Sequence, residues 1–193
     1  MILRTFLNKN KYLTITSGKG IYIFSRRKRF TDLTSGMTGH AILGWSNKKI
    51  IKAIHDQAKK IGHVDYKNYI DLNRDKLARI MLLNKINKLN RVFFVGSSGS
   101  EACEAAVKMS YQYFYDQGKK NKNIFISRKQ SYHGSTSQSL SLGDRPNRRL
   151  YKKILNKNSY KISECNIYRN KLANESEDEY ASRCANELEK KIL

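Results

Sequence analysis

The sequence is short of the features that mark membrane, secreted and disulfide-rich proteins. Its 193 residues contain no run of about 18 apolar residues, so no transmembrane helix and no membrane partner are predicted. Residues 1–11 have no apolar h-region and no small-residue cleavage site, which argues against a secretory signal. The three cysteines, Cys103, Cys165 and Cys184, are odd in number and form no C-x-x-C pair, so we expect reduced thiols in a cytoplasmic protein.

Acidic side chains are scarce as well, because 16 Asp and Glu stand against 38 Lys and Arg, giving a net charge of +22. Such an excess is typical of a module that binds nucleic acid or another polyanion. The lysines are spread along the chain, however, and no block of about five or six like charges occurs. The abundance of Lys, Asn and Ile also fits the codon bias of an A/T-rich genome. A basic polyanion-binding module is therefore the rival hypothesis, and no nucleic-acid partner is predicted.

The first part of the chain predicts a small β-meander. Two β-type runs, Tyr12–Thr16 and Ile21–Phe24, flank the glycine-containing stretch Ser17–Gly20, which is typical of a hairpin with its turn. A third run, Phe30–Leu33, extends the hairpin. Two amphipathic helices are predicted to follow, one capped by Asn47 and one beginning near Asp71.

The middle of the chain has the order strand, helix, strand. Arg91–Val95 predicts a buried strand, a long helix ends near Gln117 with Gly118 as its stop, and Asn123–Ser127 predicts the next strand. This order predicts parallel strands in an α/β fold. A last helix follows a capping box that begins at Ser176. The chain stops at the end of that helix without turn residues, so we expect a truncated chain.

Two loops carry chemistry. Residues 96–101, Gly-Ser-Ser-Gly-Ser-Glu, join an apolar strand to a helix whose first N–H groups could hold a phosphate. A turn that only caps the helix explains the same residues equally well. Residues 131–136, Ser-Tyr-His-Gly-Ser-Thr, follow the next strand, where α/β folds bind ligands. Tyr132 could stack on a flat ring, although each residue alone also fits a packed loop aromatic or a structural histidine.

Together the two loops resemble one family. Residues 91–108, RVFFVGSSGSEACEAAVK, are similar to the phosphate-site signature of class III aminotransferases, and residues 131–136 are similar to their Tyr-His-Gly segment. The stretches 18–36 and 43–57 resemble the family's entry hairpin and first helix. The resemblance spans residues 12–192.

The resemblance implies a fold-type I pyridoxal-phosphate transferase of class α/β. A hairpin and small-domain segment over residues 1–60 would precede the first, incomplete part of the large parallel-sheet (βαβ) domain over residues 61–193. It also implies transamination with pyridoxal 5′-phosphate as cofactor, a small amino donor and an oxo-acid acceptor as substrates, and a homodimer at full length.

The family's motifs, carried over by position, imply a cofactor site. Gly99 and Ser100 would bind the phosphate together with Ser98, and Tyr132 would stack on the pyridine ring beside His133. Glu101 and Glu104 are expected to tie the helix start to its surroundings, since a carboxylate is a poor phosphate ligand.

The substrate pocket and the catalytic residues are less complete. Met37 and Thr38 would lie near the family's substrate pocket, and Trp45 would either line its entrance or pack. No lysine here matches the Schiff-base motif, because that lysine and the aspartate that pairs with the pyridine nitrogen would lie beyond residue 193. No catalytic residue and no metal site are therefore predicted, and we expect no transamination by this chain alone. A non-catalytic member of the same fold is the remaining alternative.

Overall fold

The structure is a computed structural model that describes residues 13–26, 28–37, 39–83, 89–96 and 98–193. The chain forms two compact units, residues 1–84 and residues 85–193. The sequence predicts a domain boundary after residue 60, and this boundary stays a prediction about the domains of the whole protein.

The first unit begins with a three-stranded antiparallel meander. Its strands are β1 (Ser17–Lys19), β2 (Tyr22–Ser25) and β3 (Lys28–Thr31), in that order across the sheet. The expected meander is confirmed. The predicted strand Tyr12–Thr16 is not, because Tyr12 lies outside the described residues and the rest of that run precedes β1.

The turn of the first hairpin was predicted wrongly at Ser17–Gly20. Strand β1 pairs with β2 up to its last residue, so the chain reverses only at Gly20 and the residue after it. Gly18 lies inside β1 because a Cβ there would be 2.7 Å from the Cβ of Trp45. A glycine within a strand often marks such a close approach by another group, so Gly18 serves packing and not the turn.

Two capped helices complete the first unit. Helix α1 (Lys48–Lys60) begins after Asn47, and helix α2 (Leu72–Leu82) begins after Asp71, as predicted. Each cap side chain accepts a hydrogen bond from the amide two residues on, at 3.1 Å and 2.9 Å respectively. The local cap signals therefore located both helix starts.

The second unit alternates helices and strands. In chain order it contains α3 (Gly99–Asp116), β4 (Phe125–Arg128), α4 (Ser137–Leu142), a 3₁₀ helix (Pro146–Ile154), β5 (Ser159–Ile162), α5 (Ile167–Asn170) and α6 (Glu177–Ile192). Strands β4 and β5 pair in parallel, so the predicted α/β class with a parallel sheet is confirmed. Arg91–Val95 was wrongly predicted as a strand, because no strand in the described ranges forms a ladder with it.

The core of the second unit lies between β5 and α6. Ile162, Tyr180 and Cys184 are the buried hydrophobic residues here, exposed by 4%, 3% and 5%. The hydroxyl of Tyr180 donates to the carbonyl of Glu164 at 3.2 Å and accepts from the amide of Asn166 at 2.9 Å. Tyr180 and Cys184 are the buried residues of α6, and both lie in its N-terminal half.

Candidate functional site

Helix α3 begins with a capping box formed by Ser98 and Glu101. The Ser98 hydroxyl accepts from the Glu101 amide at 3.3 Å, and the Glu101 carboxylate accepts from the amide and the hydroxyl of Ser98 at 2.9 Å and 3.2 Å. Gly96 leaves room for that carboxylate, because a Cβ there would lie 2.7 Å from its Oε1 atom. The cap therefore uses both hydrogen-bonding roles of the Ser98 hydroxyl.

The first turn of α3 offers two backbone amides to a ligand. The N–H groups of Gly99 and Ser100 donate to nothing within the described part of the chain. The first N–H groups of a helix lack intrahelical partners and carry the positive end of its dipole. A Cβ at Gly99 would meet nothing within 4 Å. An anion can therefore reach both amides.

The loop after β4 docks on this turn. The amide of Ser135 donates to the hydroxyl oxygen of Ser100 at 3.0 Å, which leaves the Ser100 proton for another acceptor. Gly134 has a φ of +130°, and a Cβ there would lie 2.8 Å from the Cα of Ser100 and 2.6 Å from the Oγ of Ser139. Only glycine fits at this contact. The two sequence motifs are thus in direct contact.

Tyr132 and His133 lead into the docked loop. The Tyr132 side chain is 63% exposed, and its ring makes no aromatic contact with the residues that the structure describes. His133 is half-buried. An exposed tyrosine ring beside a phosphate cradle can stack on a planar ligand.

Glu104 joins α3 to the start of α4. Its carboxylate accepts from the amides of Gln138 and Ser139 at 2.9 Å and 3.3 Å. Burial by itself would raise the pKa of Glu104, but the hydrogen bonds from Thr136, Gln138 and Ser139 outweigh it and lower that pKa. A carboxylate at the N-terminus of a helix also matches the helix dipole. Glu104 therefore ties the helix to its surroundings, as expected.

Lys161 of β5 occupies the other end of α4. Its ammonium donates to the carbonyls of Ser141 and Leu142 at 2.8 Å and 2.7 Å. It also donates to the hydroxyls of Ser127 and Ser159, at 2.6 Å and 3.1 Å. Burial, followed by the nearby Arg148 guanidinium, lowers the pKa of Lys161 to about 8.

Both the sequence and the fold are similar to those of known proteins. The sequence model of the class III aminotransferase family matches residues 6–192. The chain belongs to the class III aminotransferases. It is 34% identical over 182 residues to an uncharacterised aminotransferase of Schizosaccharomyces pombe, covering 93% of this chain and 39% of the relative. It is also 34% identical to γ-aminobutyrate transaminase 2 of Solanum lycopersicum, with 94% and 40% covered.

Solved aminotransferases share this fold. A thermostable ω-transaminase variant from Pseudomonas jessenii superposes with a TM-score of 0.91 at 32% identity, covering all of this chain and 44% of the other. The ω-transaminase of the same organism in complex with PMP gives a TM-score of 0.85 at 30% identity, again over 100% and 44%. The chain thus spans about two fifths of the length of these aminotransferases.

Pyridoxal 5′-phosphate is the cofactor of class III aminotransferases, and the residues of the second unit fit it. The free amides of Gly99 and Ser100 with the Ser100 hydroxyl suit its phosphate, and the exposed ring of Tyr132 suits its pyridine. Ser98 contributes the helix cap. No group of His, Cys, Asp and Glu within the described ranges could hold a metal ion.

The predicted substrate-pocket residues lie in the first unit. Met37 is 77% exposed with a φ of +61°, and Thr38 lies outside the described residues. Trp45 covers Gly18, and its indole N–H donates to Asp32 at 2.9 Å. Hydrogen bonds, first from Thr34 and then from Trp45, lower the pKa of Asp32 to about 2. Packing, one of the two roles foreseen for Trp45, accounts for these contacts.

Sequence reasoning missed Lys161 and the specific partner of Glu104. The hydrophobic periodicity of helices and strands does not reveal a buried charged side chain, because lysine and glutamate in such patterns are usually exposed to solvent. The available signal was the serine-rich stretch 135–141, since buried hydroxyls require partners.

In the described part of the chain no helix is both long and apolar enough to span a membrane.

Proposed function

We propose that this chain forms the cofactor-anchoring part of an aminotransferase that uses pyridoxal 5′-phosphate to move an amino group between an amino donor and an oxo acid. The observation that carries the proposal is the docking of the loop 131–136 on the first turn of α3, where the amides of Gly99 and Ser100 donate to no residue that the structure describes. Membership of the class III family supports the cofactor and the reaction class.

In this proposal the residues of the chain bind and orient the cofactor. The amides of Gly99 and Ser100 would hold the phosphate, the Ser100 hydroxyl would donate to it, and the Tyr132 ring would stack on the pyridine together with His133. When bound, pyridoxal phosphate supplies a carbonyl that takes up the donor's amino group and a ring that withdraws electrons from the reacting carbon. The relatives include a γ-aminobutyrate transaminase and an adenosylmethionine-8-amino-7-oxononanoate aminotransferase. Because these names indicate different substrates, we propose the reaction class and no particular amino donor.

For the whole protein we also propose a homodimer in the cytoplasm. The dimer rests on the resemblance to the family, and the location rests on the cysteine pattern of the sequence. Light scattering on the purified protein measures the first, and microscopy of a fluorescent fusion in its host measures the second.

The binding proposal is best tested with pyridoxamine 5′-phosphate. This form carries an amine in place of the aldehyde, so it cannot react with the many lysines of the chain. We expect saturable binding in a fluorescence titration, competition by inorganic phosphate, and binding of pyridoxamine that is at least about tenfold weaker, because charge-assisted hydrogen bonds to the phosphate are lost. Equal binding of both probes would contradict a phosphate anchor.

A second measurement concerns chemistry. We expect no steady transamination by the 193-residue chain with pyridoxal phosphate. A turnover rate above that of free cofactor would show that a lysine of this chain serves as the Schiff-base residue, contrary to the prediction from its motifs.

A further inference from the structure

We propose that Glu104 and Lys161 are positioning residues that hold α4 by its two ends and so fix Tyr132 relative to the phosphate-binding turn of α3. The inference rests on the proposed function, because it concerns how that cofactor site keeps its dimensions. It assigns a role to two charged side chains that touch neither the phosphate nor the ring in that proposal.

The N-terminal end of α4 is attached to the helix that carries the phosphate site. Ser100 and Glu104 lie one turn apart on α3 and thus on one face. The first accepts from the amide of Ser135, and the second accepts from those of Gln138 and Ser139. One rigid helix therefore carries the free amides and both attachment points of the loop.

The C-terminal end of α4 is attached to the sheet. Lys161 donates to the carbonyls of its last two residues, Ser141 and Leu142, and to Ser127 of β4. A carboxylate at the first amides and an ammonium at the last carbonyls both match the helix dipole. With six residues, α4 is too short to persist through its own hydrogen bonds. Its position therefore depends on contacts with its surroundings, including those that Glu104 and Lys161 make at its two ends.

Burial around α4 makes the contacts rigid. Ser139 and Ser141 are completely buried, and the Ser141 hydroxyl accepts from the amide of Asn156 at 2.8 Å. Tyr132 lies only five residues before the first residue of α4, with Gly134 against Ser100 between them. A displacement of α4 is thus passed to Tyr132 through a short stretch of loop.

The test compares Glu104→Gln and Lys161→Met with two matched controls in the full 193-residue chain. The controls are Asp116→Asn, at the far end of α3, and Lys157→Met, an exposed lysine before β5. Pyridoxamine 5′-phosphate and inorganic phosphate are the probes. The readouts are the affinity for each probe, the circular dichroism induced in the absorption band of the bound pyridoxamine ring, and hydrogen exchange of residues 132–142.

We expect both variants to lose the induced dichroism and to bind pyridoxamine phosphate about tenfold more weakly, while their affinity for inorganic phosphate changes by less than about twofold. Exchange in residues 132–142 should become at least about tenfold faster. The controls should match the unaltered chain. Glu104→Gln preserves size and one acceptor oxygen, so it keeps the test valid if Lys161→Met fails to fold.

Two results would overturn the positioning role. One is unchanged affinity and induced dichroism in Glu104→Gln. The other is an equal loss of affinity for both probes, which would mean that the pair only supports the fold. If the unaltered chain gives no dichroism and no binding, the proposed function itself fails and the positioning role falls with it, so the two failures are distinguishable.

Discussion

Helices α3 and α6 begin with the same local device. Each has a Ser-x-x-Glu capping box in which the serine hydroxyl accepts from the glutamate amide, at 3.3 Å in α3 and 3.2 Å in α6. Each glutamate carboxylate accepts in return from the serine amide. The capping signature therefore marks a helix start in both places and carries no information about a ligand.

The residues inside the two boxes differ. In α6 they are Glu177 and Asp178, whose carboxylates would repel an anion. In α3 they are Gly99 and Ser100, which add no charge, and a loop with an exposed aromatic ring docks beside them. The proposed phosphate site thus differs from the start of α6 in two ways, because its first turn is uncharged at these two positions and a neighbouring segment completes it.

The largest effect is expected when the first turn of α3 receives the acidic residues of α6. We expect Gly99→Glu with Ser100→Asp to weaken binding of pyridoxamine 5′-phosphate by more than about a hundredfold, because two carboxylates would face the phosphate. Helix content should stay constant, since acidic residues suit a helix start. The reverse change in α6, Glu177→Gly with Asp178→Ser, is the control and should leave binding unaltered. Titration and far-ultraviolet circular dichroism measure both properties.

The docked loop can be broken at Gly134. We expect Gly134→Ala to lower the free energy of unfolding by about 2 kcal/mol, because its Cβ would overlap Ser100 and its φ is unfavourable for alanine. Gly118→Ala is the matched control, with a φ of +78° and open space around the new Cβ. It should cost about 1 kcal/mol. Equal losses in urea unfolding would show that the contact with Ser100 adds nothing.

The ring-stacking role is tested at Tyr132. We expect Tyr132→Ala to bind pyridoxamine 5′-phosphate about tenfold more weakly, since an aromatic pair contributes about 1 kcal/mol beyond the area that it buries. Tyr132→Phe should stay within about twofold because the ring remains. Tyr168→Ala, which removes a ring that is 96% exposed, should have no effect. If it weakens binding as much, the probe binds aromatic surface at large.

The two capping serines sharpen the comparison further. Ser98→Ala and Ser176→Ala should each lower the free energy of unfolding by about 1 kcal/mol, the usual cost of a lost N-cap. Only Ser98→Ala should also weaken cofactor binding, by about twofold, because it loosens the turn that carries the free amides. An effect of Ser176→Ala on binding would contradict the separation of the two helix starts.

The smallest expected effect is the response of residues 132–142 to acidic pH. The pKa of Glu104 is lowered from its ordinary 4.5 by hydrogen bonds that outweigh burial, so the unfolded chain takes up this proton first as the pH falls. The stabilisation is thus complete above about pH 4.5 and is lost below it. We expect the protection of residues 132–142 against hydrogen exchange, taken relative to the intrinsic exchange rate at each pH, to fall below that pH in the unaltered chain. Glu104→Gln should show low protection at every pH, and a retained pH dependence would assign the effect to another group.

Features with a local cause could be predicted from the sequence. Asn47, Asp71 and Ser176 cap the helices that they were expected to cap, and α3 ends before Gly118 as predicted. The α/β class with a parallel sheet followed from the alternation of helices and strands along the chain. These inferences need only neighbouring residues or a general rule of topology.

Features that depend on a distant partner could not be predicted. The location of Gly18 in a strand depends on Trp45, which is 27 positions away in the sequence, and the strand predicted at Arg91–Val95 would have required a neighbour to pair with. Lys161 looks like a surface lysine until the carbonyls at the end of α4 are placed beside it. In each case the local pattern was compatible with two structures, and a tertiary contact selected one.

The attachment of one loop at two points of α3 has a consequence for how this sequence can change during evolution. Replacing a residue between Ser100 and Glu104 leaves both attachment points on the same face of the helix. Inserting or deleting a single residue there would rotate Glu104 by about 100° around the helix axis and turn it away from the loop. The number of residues between Ser100 and Glu104 is therefore more tightly constrained than their identity. Among related sequences, substitutions in this stretch should be far more common than insertions or deletions.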